Sequence, residues 1–304
     1  MTNIKAIQLG LGQLNKVILG KENEIKLALS CLLAKGHLLI EDLPGMGKTT
    51  LAHALAGTLG LSYQRIQFTN DLLPGDLLGL NIFNRDTGKF HFHPGPIFSN
   101  LILADEINRA NPKTQSALLE AMEERQVTQE GETRKLPELF FVVATQNPSD
   151  QSGTHSLPES QLDRFMMRIS LGYPSEEAEK QLLKGIDRRA LSNQLQAILN
   201  ETTLGKIQEL VSKVQCSDSI INYVYRLATL SRLKSNETHG LSPRANISLI
   251  QAAKAWALLE GRDHVLPDDI QAVFPSVAEH RLSNGQAKQN NPLSQNILKS
   301  VDIF

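Results

Sequence analysis

The sequence predicts an α/β domain built on a parallel sheet, followed by a second, all-helical domain. Three observations carry this. Strand-like apolar runs alternate with helical periodicity through the first half, the pattern left by βαβ units. From Ser175 onward only helical periodicity remains. At residues 38–60 an apolar run, a glycine-bearing loop and a helical pattern follow one another directly.

The elements follow in order. A helix is predicted over roughly Lys21–Ala34 and a strand over Leu38–Glu41. The next helix, Thr49–Leu59, repeats leucine at 51, 55 and 59, and Gly60 stops it. Strands are predicted at Tyr63–Phe68, Leu101–Asp105, Leu139–Gln146 and Met167–Leu171. The helix Pro112–Arg125 has Asn111 to cap it and proline in its first turn. Two hairpins are inserted. Ile82-Phe83 and Phe90-His91-Phe92 flank Asp86-Thr87-Gly88-Lys89; Gln126-Val127-Thr128 and Thr133–Leu136 flank Glu130-Gly131-Glu132. The character changes at Tyr173-Pro174, which divides the chain into residues 1–173 and 174–304. Helices run to about Leu282. A polar loop follows, and then Ile297-Leu298 and Val301–Phe304, which could dock a short final segment.

The run Leu38–Thr50 carries the chemistry. Glycines at 45 and 47 let backbone N–H groups approach phosphate oxygens, and the helix N-terminus adds partial positive charge. Pro44, Gly45, Met46, Gly47 and Thr50 would form the cradle; Lys48 would reach the β- and γ-phosphates, and the Thr49 hydroxyl would hold Mg²⁺. Asp42 stands where the general pattern has its first glycine. On this motif alone, a glycine-rich turn beside a surface lysine is the competing reading.

Leu101–Asp105 is an apolar strand ending in two carboxylates, Asp105 and Glu106. The first can hold Mg²⁺, and the second can orient and deprotonate an attacking water. That division of labour is hydrolysis chemistry. Apolar strands often end in acids at a surface, so this signal draws its weight from lying about fifty residues after Lys48 within the α/β alternation. No Asn-Lys-x-Asp run exists to read guanine.

The 304 residues contain 31 Lys plus Arg against 32 Asp plus Glu, a formal net charge of −1. This balance gives no basic footprint for nonspecific nucleic-acid binding, although a local patch is compatible with it. Cys31 and Cys216 are far apart, outside any metal-like spacing, and are expected as buried small hydrophobes in helices. The longest apolar run, Leu139–Ala144, is strand-sized, and the N-terminus has no signal-peptide core, so a cytoplasmic protein without a membrane span is expected.

Five ordered blocks resemble the MoxR family of AAA+ ATPases. They are Gly95-Pro96-Ile97-Phe98 with Leu103–Ala110; Gln115–Glu124; Ala144–Pro148; Leu157–Phe165; and Leu241–Ala245. The likeness runs from about Val17 to Leu282. Glu-Asp-x-Pro-Gly-x-Gly-Lys-Thr looks usual for this family, which accounts for Asp42.

The resemblance implies an AAA+ core of strand order 5-1-4-3-2 with hairpin insertions, followed by a helical lid. It implies ATP and Mg²⁺ as cofactors. Asn147 matches the sensor that contacts the γ-phosphate or the attacking water. Arg164 matches an arginine finger acting on a neighbouring subunit's ATP, with Arg168 and Arg109 as nearby competitors. Arg244, in the first turn after the Ser242 cap, matches the lid sensor that links hydrolysis to lid movement. Ile18 and Gly20, in Val17-Ile18-Leu19-Gly20, resemble the adenine-edge segment. A ring, most simply a hexamer, is implied, remodelling a client protein, often beside a partner carrying a von Willebrand factor A domain. The rivals are a helix-2-insert motor acting on nucleic acid and a nucleotide-gated scaffold with little turnover.

Other features are read as structural. His91 and His93 lie on one hairpin face with no third ligand in sequence to complete a metal set. Trp256 belongs with Ile250, Ala253 and Ala257 in a lid core, and Arg188-Arg189 is a solvated pair.

Overall fold

The computed structural model describes residues 3–148, 153–185, 191–192, 194–233, 240–283 and 292–303. The Arg188-Arg189 pair and most of the expected polar loop lie outside them. In chain order the elements begin with α1 (Asn3–Val17), α2 (Glu22–Leu33), β1 (Leu38–Glu41), α3 (Lys48–Leu59) and β2 (Tyr63–Gln67). Then come α4 (Pro74–Leu78), the hairpin β3 (Gly79–Asn84) and β4 (Lys89–Pro94), β5 (Leu101–Asp105) and α5 (Pro112–Glu124). The hairpin β6 (Gln126–Gln129) and β7 (Glu132–Lys135) precedes β8 (Phe141–Gln146), α6 (Glu159–Leu162) and β9 (Met167–Ile169). Helices follow: α7 (Glu176–Leu183), α8 (Glu201–Lys213), α9 (Asp218–Leu233), α10 (Pro243–Leu259), α11 (Pro267–Leu282) and α12 (Leu293–Ser300).

The five parallel strands lie in the order β2-β5-β8-β1-β9. Numbered among themselves and read from the other edge, they give 5-1-4-3-2, the expected order. Successive side chains of a strand face opposite sides, and both sides are covered. Leu38 and Ile40 of β1, Leu101 and Leu103 of β5, and Phe141 and Val143 of β8 join one apolar core with α2 and α3. Leu39, Ile102, Ala104, Val142 and Ala144 join the other, with α4 and α5. In register, Glu41 stands beside Gln146 and Gln67 beside Asp105. The strands' C-terminal ends therefore share one edge, where ligands of open α/β sheets bind.

The helical part is not packed apart from the sheet. Its core residues Leu204, Tyr223, Trp256 and Phe274 merge with the α2–α3 side of the sheet in one cluster. α2 lies between them: Gln208 Nε2 donates to Leu32 O at 2.9 Å, and Lys26 Nζ sits 3.9 Å above the Trp256 ring. A second tie runs through Arg281 on α11, whose side chain is only 6 % exposed. It donates to Asp163 Oδ1 at 2.6 Å and to the carbonyls of Phe165 and Met166 at 2.8 and 3.2 Å.

Two readings need correction. The sequence reading assigns no element to residues 3–17, yet α1 forms there, with Ile7, Leu14 and Val17 buried at helical spacing. Gly10 and Gly12 disguise it as a poor helix former; a Cβ on Gly10 would lie 3.4 Å from Thr58 of α3, so the small residue serves close packing. Cys31 is buried in α2, but Cys216 lies in the loop between α8 and α9 and is partly exposed. Trp256 is a core residue, and α12 docks through Ile297. No helix among the described residues is long and apolar enough to cross a membrane.

Candidate functional site

β1 delivers the chain to the loop at 42–47, and the first peptide units of α3 point back into it. Gly45 and Gly47 adopt φ of 84° and 89°, conformations that an L side chain strains to reach. A Cβ at either would meet nothing within 4 Å, so backbone shape rather than space requires glycine. Asp42 has a local role. Its carboxylate accepts from the N–H of Leu43 at 2.9 Å and of Gly172 at 2.7 Å, and from Ser170 Oγ at 3.2 Å. The residue that replaces the usual glycine thereby ties the loop to the exit of β9.

Lys48 Nζ donates to Asp42 O at 2.5 Å, which holds the ammonium over the loop. Partial burial pushes its pKa below the ordinary lysine value, while Asp42, Asp105, Glu106 and Glu41 pull it back up. The carboxylates come from the tip of β5. Asp105 Oδ1 accepts from Thr145 Oγ1 at 2.5 Å, and Oδ2 accepts from Arg65 Nη2 at 2.7 Å and Nε at 3.1 Å. Glu106 takes a left-handed φ of 56°, unusual for a residue with a side chain. Its N–H is held by Thr145 Oγ1 at 2.9 Å, and Glu106 caps the 3-10 turn Ile107–Arg109. Its Oε2 accepts from Gln67 Nε2 at 2.9 Å and from Arg109 Nη1 at 3.0 Å.

These groups share one cleft of about 750 Å³, lined by residues 44–50, Asp105, Glu106 and Asn147 at its polar end. Its apolar end is formed by Val17, Ile18, Leu19, Tyr173, Leu182 and Leu183, a slot suited to a flat base. Thr49 and Asp105 lie in the same cleft, an oxygen donor pair of the kind Mg²⁺ accepts. Gly20 does not line it. At φ 66° it lets α7 approach, since a Cβ there would stand 3.2 Å from that of Ala178.

The arginines separate. Arg109 pairs with Glu106 and Arg168 with Glu41, whereas Arg164 and Arg244 line no part of the cleft. Arg164 Nη2 is 3.0 Å from Glu123 Oε2, and Arg244 Nη1 is 3.0 Å from Glu123 Oε1. Asp163, which could have neutralised Arg164, is taken by Arg281. Sequence reasoning missed Thr145, Arg65, Gln67 and Glu123. Period-two alternation places Arg65 and Gln67 on one face of β2, but only the register with β5 aims that face at the carboxylates.

Comparison with known proteins agrees with this geometry. Residues 37–167 match the model of the ATPase family associated with various cellular activities (AAA), and residues 230–301 match an AAA lid domain. The uncharacterized protein YeaC of Bacillus subtilis is 46 % identical over 88 % of this chain and 84 % of its own length. Chaperone MoxR1 of Mycobacterium tuberculosis is 38 % identical over 92 % of this chain and 76 % of its own. Protein MoxR of Methylorubrum extorquens is 31 % identical over 89 % and 85 %. The crystal structure of an ATPase candidate from Cytophaga hutchinsonii superposes with a TM-score of 0.88 at 38 % identity, covering 99 % of this chain and 95 % of that one. With relatives of this identity and coverage, and with the sheet order and phosphate loop in place, the chain belongs to the MoxR family of AAA+ ATPases.

Proposed function

We propose that this chain hydrolyses ATP with Mg²⁺, as a cytoplasmic ring assembled from copies of itself, and uses the reaction to remodel a client protein. The observation that carries the reading is the division of the charged groups. Lys48, Asp105, Glu106 and Asn147 meet in one cleft, while Arg164 and Arg244 sit together outside it. A cleft holding Lys48 and a water-activating carboxylate but, among the described residues, no arginine, with Arg164 and Arg244 elsewhere on the surface, suits a site completed by a neighbour.

In this reading the loop N–H groups and Lys48 hold the β- and γ-phosphates, and the apolar slot takes the adenine. Thr49 and Asp105 would hold Mg²⁺, which when bound shields the charge between the β- and γ-phosphates. Glu106 accepts a proton from the attacking water, Asn147 orients that water, and Arg164 of a neighbouring subunit faces the γ-phosphate. Gln67 and Arg109 both donate to Oε2 of Glu106, which orients the carboxylate and leaves Oε1 to accept the proton. A hexamer is the ring size proposed. The name of one relative, Chaperone MoxR1, supports a client protein as the object of the work. A protein carrying a von Willebrand factor A domain is the partner proposed.

The test is Glu106→Gln. The variant should bind ATP as the unsubstituted protein does and lose turnover by about 10²–10³-fold. Native mass spectrometry with ATP should then show a trapped ring, and pull-down with the trap should enrich the client. Unchanged turnover in Glu106→Gln would overturn the hydrolytic assignment, and a monomer at every nucleotide state would overturn the ring.

A further inference from the structure

We infer that Glu123 is the positioning residue of a two-arginine clamp. Its carboxylate holds Arg164 of the core and Arg244 of the lid side by side, so that both face one anion, the terminal phosphate of ATP held by a second copy of this chain. The inference rests on the reading that Arg164 acts across a subunit interface.

The geometry is that of a bridge. Each carboxylate oxygen takes one guanidinium at 3.0 Å, Oε2 facing Arg164 and Oε1 facing Arg244. Each arginine uses one terminal nitrogen on Glu123. A guanidinium has five N–H donors in a planar fork, so the rest of each fork can face a phosphate while the bridge persists. Two cations drawn together without Glu123 would repel; with it the trio carries one net positive charge, suited to an incoming polyanion.

Each charge is also misplaced within its own helix. Glu123 lies in the last turn of α5, where the helix dipole disfavours an anion, and Arg244 lies in the first turn of α10, where it disfavours a cation. A dipole-adapted surface would reverse both. Their pairing offsets both penalties and joins the core helix to the lid helix at one point. The frame around the bridge is fixed. Arg281 binds the carboxylate and carbonyl of Asp163 and the Phe165 carbonyl, so the segment carrying Arg164 moves with α11. All three clamp side chains remain solvent-accessible, at 28 % for Arg164, 37 % for Glu123 and 48 % for Arg244. They are placed to meet another molecule and not buried as core ion pairs are.

The experiment compares Glu123→Gln with Arg164→Ala, each alone and each mixed with Lys48→Ala subunits. Glu123→Gln keeps the size of the side chain and removes its charge. Expected is a fall in kcat of about tenfold with KM for ATP within about twofold, because the clamp serves the transition state and not nucleotide capture. Circular dichroism and native mass should match the unsubstituted protein. Lys48→Ala subunits have no working cleft but an intact clamp, so mixing them with Glu123→Gln subunits should restore turnover above either alone. Arg164→Ala should behave likewise with a larger loss. If Arg164→Ala is rescued in the mixture while Glu123→Gln alone retains full kcat, the positioning role is overturned and the trans reading stands. If Arg164→Ala retains full activity or is not rescued, the trans reading falls and the clamp falls with it. A Glu123→Gln protein that melts earlier but keeps its kcat shows a merely structural ion pair and also overturns the proposal.

Discussion

Arg168 Nη1 lies 2.8 Å from Glu41 Oε2, with the two side chains only 11 % and 9 % exposed, so the last core strand is ion-paired to the first at the mouth of the phosphate loop. Glu41 immediately precedes Asp42, which ties the same loop to Ser170 and Gly172 beyond β9. The two acids together fix β9 against the loop.

The first prediction separates Arg168 from Arg164. Removing one partner of a nearly buried pair leaves the other charge uncompensated, so Arg168→Ala should lose about 2–4 kcal/mol of unfolding free energy. Arg164 is more exposed, and Arg164→Ala should stay within about 1 kcal/mol of the unsubstituted protein while losing turnover. Urea unfolding and a steady-state ATPase assay on the two variants check this. The opposite pattern, a stable Arg168→Ala with no activity, would exchange the roles.

The second concerns Arg65. Its guanidinium sits on Asp105 Oδ2 through two N–H groups, on the carboxylate assigned to Mg²⁺. A cation there competes with a divalent ion for the same negative charge. Arg65→Ala should therefore tighten Mn²⁺ binding in the presence of ADP, by about two- to fivefold given the half-exposed arginine. Mn²⁺ electron paramagnetic resonance titration reads this directly. Weaker binding in Arg65→Ala would show instead that Arg65 orients Asp105 for the metal.

How far the sequence could be read follows from these examples. The strands and the helices at the phosphate loop are legible because their signals are local: the three-residue apolar run Leu38–Ile40, a leucine every fourth position, a cap at Asn111 whose side chain does accept from Thr114 N–H at 3.1 Å. The roles of Arg65, Gln67 and Thr145 are not legible. They arise from strand register, which pairs residues about forty positions apart. Asp42 is visible as a departure from a motif, but its purpose depends on the backbone N–H of Gly172, 130 positions away. The arginines show the same limit. Sequence ranks Arg164, Arg168 and Arg109 by position, whereas the carboxylate each one meets depends on tertiary packing.

The third prediction is a pH dependence. His37 is fully buried between β8 and the end of α5, with rings of Phe140 and Phe141 against it. Nδ1 accepts the Val142 N–H at 3.0 Å, so the proton lies on Nε2, 3.3 Å from the Met122 carbonyl. Burial, with a smaller push from the Arg125 charge, lowers its pKa to about 3. In the unfolded chain it returns to about 6.5. Below that value the unfolded state binds the extra proton and the folded state does not. Stability is therefore full above about pH 6.5 and falls toward pH 3, by up to about 1.4 kcal/mol per pH unit. His280, also buried and lowered by burial and by Arg281 and Arg168, adds in the same direction. His37→Gln should be less stable at pH 7 but lose less between pH 6 and pH 4. Parallel curves for the two proteins in urea titrations would rule the account out.

The fourth lies at the root of the first hairpin. Gly95 opens the Gly-Pro-Ile-Phe run, and a Cβ there would stand 2.2 Å from Leu77 O and 2.5 Å from Gly79 N. These are backbone atoms and cannot swing aside. Gly79 faces it at φ 101°, where its own Cβ would meet His93 O at 2.4 Å. The two glycines thus let both ends of the hairpin close onto α4. Gly95→Ala should cost about 2–4 kcal/mol, or else splay the hairpin from the core. Gly88, at the hairpin tip, is the control: its φ is 66° and a Cβ would meet nothing within 4 Å, so Gly88→Ala carries only conformational strain of about 1 kcal/mol. Hydrogen exchange distinguishes the two forms of damage. Protection at residues 79–94 should fall in Gly95→Ala while β1 and β5 keep theirs. A Gly95→Ala protein as stable and as protected as Gly88→Ala would mean that the close approach at the hairpin root does not govern this insertion.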